Sequence, residues 1–153
     1  MKSIVSSIAI LFLLACGALF AQKTPPKHSD ESDDQIIAAV VKHATLAGKG
    51  IVFLSVNGHD PSPEILRLLS AWNMRVLPTS RLDPAAVPNG LGMFKDKETG
   101  EFGRYFVAEI GKRLKADRIE VAGGWGDPCG TYTVVLQNGS WSVEKYKASD
   151  ICF

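Results

Sequence analysis

The apolar residues of this chain change their spacing part-way along it, and that change limits the folds open to it. Ile36, Ile37, Val40, Val41, Ala44 and Ala47 recur at three and four, which puts them on one face of a helix. From Leu91 onward the spacing is two, as in strands with one buried side. The last pair of segments is the clearest, because Asn138-Gly139 supplies the two positive φ values of a type I′ turn and so fixes a hairpin register. In that register Leu136 faces Trp141 and Val134 faces Val143 on one side of the sheet, while Thr133 meets Glu144 and Thr131 meets Tyr146 on the other. Helices first and a meander last predict the α+β class, with two N-terminal helices packed on a curved antiparallel sheet that ends in a β-hairpin.

The element boundaries follow from local chemistry. Ser32 and Gln35 form a capping box, with Asp33 and Asp34 in the first turn of a helix from Asp33 to Ala47 that Gly48 ends. Ile51 to Val56, between Gly50 and Asn57-Gly58, reads as a buried strand. Ser62 as cap and Pro63 at the first helical position start a second helix carrying Ile65, Leu66, Leu68, Leu69 and Trp72. Met74 to Leu77 is a strand stopped by Pro78, and Ser80 to Gly92 is a loop. Phe94, a turn over Asp96 to Glu101, and Phe102 to Ile110 make a hairpin; Arg118 to Val121 follows, then a glycine-rich loop from Gly123 to Gly130.

The N-terminus reads as an export signal: Lys2, an apolar run from Ile4 to Leu14, small residues, then a polar stretch from Gln22 to Asp34. Residues 1–21 are expected to be a signal peptide, 22–31 a flexible tether and 32–153 a single α+β domain. In a second reading Leu13-Leu14-Ala15-Cys16 is a lipobox and the protein is a membrane-anchored lipoprotein through Cys16. A retained anchor would span only about eighteen residues, marginal for a bilayer core of roughly 30 Å. The expected location is periplasmic or extracellular, with no transmembrane span in the mature form. The chain has 17 basic and 16 acidic residues, and losing Lys2 balances them. No electrostatic footprint for nucleic acid is present, and no partner is specified.

Two stretches carry a resemblance. The run from Phe53 to Leu66, containing Asn57-Gly58-His59-Asp60-Pro61-Ser62-Pro63, together with the glycine-rich segment, Cys129, Tyr132 and the Asn138-Gly139 hairpin, resembles a group of small exported bacterial proteins. The resemblance implies a secreted small domain and no particular activity. Members often carry more than one cysteine in the glycine-rich loop, where this chain has only Cys129. A helix followed by a curved antiparallel sheet is also similar to the cystatin-like and nuclear-transport-factor-2-like roll, a likeness of fold that does not fix function.

Candidate chemistry is sparse. Cys129 and Cys152 are the two thiols left in an exported chain and are expected to form a disulfide, closing a loop worth roughly 3 kcal/mol. Neither has a basic neighbour in sequence to make it nucleophilic. His59 and Asp60, with Glu64, could be drawn as metal ligands or an acid-base set, but a turn and a helix start account for all three. His28 sits among acidic residues mostly in the tether, and His43 borders the apolar face of the first helix. Trp125, flanked by Gly124, Gly126 and Asp127, is the one loop position with the look of a binding surface. No nucleophile elbow, phosphate loop or Cys-x-x-Cys pair occurs. No catalytic residue, metal or cofactor is assigned. The expectation is a non-enzymatic binding or cell-envelope accessory module whose ligand enters between sheet and helices or meets Trp125. A small hydrolase or isomerase using His59 or Asp60 is the alternative. A cystatin-like protease inhibitor is a third, requiring Val121 to Gly126 to protrude as a wedge beside the Asn138 turn.

Overall fold

The protein is described here by a computed structural model covering residues 30–45, 50–85 and 92–149. Among these residues the chain forms α1 (Asp30–Thr45), β1 (Ile51–Val56), α2 (Pro63–Ser70), β2 (Arg75–Pro78), a 3-10 turn (Thr79–Arg81), β3 (Met93–Lys95), β4 (Phe102–Lys115), β5 (Arg118–Trp125), β6 (Gly130–Gln137) and β7 (Ser140–Ala148). The class is α+β: two helices with a mostly antiparallel sheet of seven strands in the order β2-β1-β4-β5-β6-β7, with β3 also paired to β4.

The sheet departs from the expected antiparallel pattern at β1, which runs parallel to both β2 and β4. The cause lies in the connection. A helix between two neighbouring strands carries the chain back to its starting end, so β2 leaves in the same direction as β1. A strand between two parallel partners is covered on both faces, and Ile51 to Ser55 are all buried.

Helix α1 begins at Asp30, so Ser32 lies within its first turn and is not the cap; the acidic run that favours a helix start extends back to Asp30. Its Ile36, Ile37, Val40 and Val41 are buried against Leu54 of β1, Phe106 and Ala108 of β4, Val121 of β5 and Val134 of β6. The start of α2 follows the sequence reading: the Ser62 hydroxyl accepts a hydrogen bond from Ile65 N at 3.1 Å, and Pro63 opens the helix. Its Ile65 and Leu69 join the same core.

The Asn138-Gly139 turn has φ values of 51° and 75° and closes the β6–β7 hairpin. Leu136 pairs with Trp141 and Val134 with Val143, as that turn requires. Beyond them a bulge between Thr133 and Val134 shifts the register by one, so Thr133 pairs with Lys145 and Thr131 with Lys147. Tyr146 is thereby carried to the helix-facing side, opposite Tyr132. The glycine-rich segment is also more regular than a loop, since Gly123, Gly124 and Trp125 complete β5.

Candidate functional site

The residues singled out as an acid-base or metal set do not converge. His59 closes a tight turn after β1, donating its backbone N–H to Val56 O and accepting from Val56 N at 2.8 Å. Asp60 instead accepts from Thr79 Oγ1 at 2.6 Å and Ser80 N at 2.9 Å, bonds that hold its carboxyl below the usual aspartate range. Glu64 pairs with Arg67 one turn along α2. Among the described residues no group of three or more His, Cys, Asp or Glu side chains could hold a metal ion. The His43 and Tyr132 rings meet in a T-shaped contact, centroids 6.1 Å apart.

Cys129 is half-buried just before β6, and its carbonyl accepts from Ser149 N at 2.8 Å. The bulge thus puts Ser149 across from Cys129. Cys16, His28 and Cys152 lie outside the described residues.

Trp125 closes β5, with its backbone paired to Phe106 of β4. The indole meets the fully buried Phe106 ring edge-on, centroids 5.1 Å apart and planes at 75°. Two residues back on β4, the diagonal neighbour of Trp125 is Arg104, whose guanidinium carbon lies 5.4 Å from the indole centroid. Packed on one side and capped on another, the indole still exposes 38% of the residue. The following bend is tight: Gly126 N donates to Tyr105 O at 2.8 Å, Cys129 N to Asp127 O at 2.7 Å, and Gly126 has φ 84°. Asp127 is exposed in this bend. A side chain at Gly124 would strike the backbone of Asp127 and Cys129, which is why glycine stands there.

The aromatic row continues across the sheet. Gly123 leaves room for Phe106 and Tyr132, and Tyr132 stacks on Tyr146 with centroids 4.6 Å apart. Burial pushes the Tyr132 phenol up to about 12. Gly130 lies against the Tyr146 ring, where a Cβ would collide. Trp125 and Tyr146 are the solvent-facing ends of this row, each over a third exposed.

The other expected ligand entry, between helices and sheet, is filled: Ile36, Val40, Phe106 and Val121 there expose none of their surface. The wedge expected of Val121 to Gly126 is not formed, because Val121 to Trp125 lie within β5 and the Asn138 turn is at the opposite end of β6. Two features escaped the sequence reading. Arg104 is one, and only the pairing of Phe106 with Trp125 reveals it. The other is Asp96, read as a turn residue but fully buried and gripped by Arg81 at 2.9 and 2.7 Å, by Thr99 Oγ1 at 2.7 Å and by Glu98 N.

Comparison with protein-family models, curated proteins and solved structures finds no match for this chain. Among the described residues no helix is long and apolar enough to cross a membrane.

Proposed function

We propose that this is an exported, non-enzymatic binding domain, an accessory module of the cell envelope or its surroundings, that meets its ligand at Trp125. One observation carries the reading: an indole fixed by Phe106 and Arg104 at a strand end, yet open to solvent. A rigid aromatic surface loses little freedom on binding, so its contact area is available for affinity. Asp127 borders the site through the bend. Export rests on the leader, whether cleaved after Ala21 or acylated at Cys16, and the Cys129–Cys152 disulfide rests on the oxidising setting that export implies.

Two measurements test this. Mass spectrometry of the mature protein is expected to find an N-terminus at Gln22 or an acylated Cys16, with two hydrogens missing from the cysteines; an intact Met1 and three thiols would overturn the export reading. Titration of the labelled protein with small neutral aromatic compounds, followed by indole N–H resonances, is expected to move the Trp125 signal ahead of those of Trp72 and Trp141. Equal, small shifts at all three would remove Trp125 as the site.

A further inference from the structure

Resting on that reading, we infer that the Trp125 site selects ligands carrying a carboxylate on an apolar or aromatic body, and that Arg104 receives the carboxylate. Six arginines lie among the described residues. Five hold a carboxylate, from the bidentate Arg118–Glu144 pair to the long Arg113–Asp33 contact at 3.7 Å. Arg104 is the sixth, exposed, and its described partner is the face of the Trp125 indole.

A guanidinium held by an aromatic face is bound through its charge, and this contact occupies no oxygen acceptor. The fork that matches a carboxylate is therefore presented while the cation is held in place. Its surroundings suit an amphiphilic ligand. Arg104 pairs across the sheet with Met93 of β3 and with Val52 of β1, and Phe102, two residues earlier on the same side, is 47% exposed. One cation among Met93, Phe102 and Trp125 is complementary to one anion attached to an apolar group. The apolar shelf also weakens competition from water for the ion pair.

The experiment compares N-acetylphenylalanine with its neutral amide, and with acetate, at constant ionic strength and up to about 20 mM, following the Trp125 indole resonance. The acid is expected to bind about tenfold more tightly than the amide, and acetate to bind far more weakly than the acid. Arg104→Gln should bring the acid down to the amide's affinity, and Arg104→Lys should retain only part of the difference because a lysine offers a point charge without a fork. Arg104 is exposed, so both variants are expected to keep the wild-type spectrum away from the site. If acid and amide bind alike, selection by charge is overturned while the binding surface stands. If acetate matches the acid, the apolar part is overturned. If none of the three moves the Trp125 signal, the binding reading of Trp125 falls with the inference.

Discussion

In its middle, β4 lies beneath α1, with Phe106 and Ala108 fully buried among Ile36, Val40, Val121 and Val134. A few residues earlier, the turn that leads into the same strand is organised around a charge: Asp96, equally buried, accepts from Arg81, Thr99 and the Glu98 backbone. Burial of apolar area is indifferent to pH, whereas a buried carboxylate is stable there only while every partner remains. The first region therefore tolerates changes of pH and not of volume. The second tolerates neither a missing partner nor a proton. The Asp96 cluster fastens the stretch that follows the 3-10 turn to the β3–β4 turn, since Asp83 N donates to Lys95 O and Lys97 N to Arg81 O, each at 2.9 Å.

The largest effect is expected in the apolar region. Phe106→Ala removes a ring that is fully buried and supports the Trp125 indole, and should cost about 3–5 kcal/mol by denaturant titration. Stability lost should be the same at pH 7 and pH 5. A loss under about 1 kcal/mol would mean that the core beneath α1 is not packed as described.

Next comes the charged region. Asp96→Ala leaves the Thr99 hydroxyl without its acceptor and the Arg81 guanidinium with only the exposed Glu98 carboxylate, at 2.9 Å, and is expected to lower the melting temperature by several degrees, less than Phe106→Ala. Its signature is in pH. The Arg81 guanidinium first, then the Thr99 and Glu98 bonds, hold the Asp96 carboxyl well below the usual range. A depressed carboxyl stabilises the fold above its unfolded value, about 3.9, and that contribution is lost as pH falls from there through the lower folded value. Wild type should lose stability between about pH 4 and pH 2 more steeply than Asp96→Asn. Equal slopes would show that the cluster does not hold its charge in the folded protein.

How much of this was legible in the sequence follows the same division. Ser62-Pro63 and Asn138-Gly139 announce their structures because the chemistry is local, one side chain or one turn acting within three residues. The apolar faces are legible through period. The bulge in the last hairpin left a trace that alternation alone overlooks: Trp141 and Val143 are two apart, Tyr146 three further on, so all three face the helices only if the strand gains a residue. Parallel pairing of β1 with β2 follows from α2 once the helix is granted. Asp96 and Arg104 were not legible, for a different reason. Arg81 is fifteen residues before Asp96 and Trp125 twenty-one after Arg104; backbone bonds between two turns bring the first pair together and strand register the second.

At Ser62 a single neutral hydrogen bond starts α2. Ser62→Ala is expected to cost about 1 kcal/mol, with no change of pH slope between pH 7 and pH 3. A larger loss would show that α2, which buries Ile65 and Leu69, unfolds when its first turn frays.

The smallest effect sharpens the contrast most, because it uses the same chemistry on the same turn. Arg75 and Glu101 form a bidentate pair as complete as that of Arg81 and Asp96, with Nη1 to Oε1 at 2.8 Å, and Glu101 is only five residues from Asp96. Their side chains are 50% and 49% exposed, where those of Arg81 and Asp96 are 22% and 0%. In water the charges left by a broken pair are solvated again, and the order imposed on two long side chains is released. Arg75→Ala is therefore expected to leave the melting temperature of wild type within error, at low and at high salt. Should it instead match Asp96→Ala, the exposed pair would be fastening the turn together with the buried one, and burial would not be what separates them.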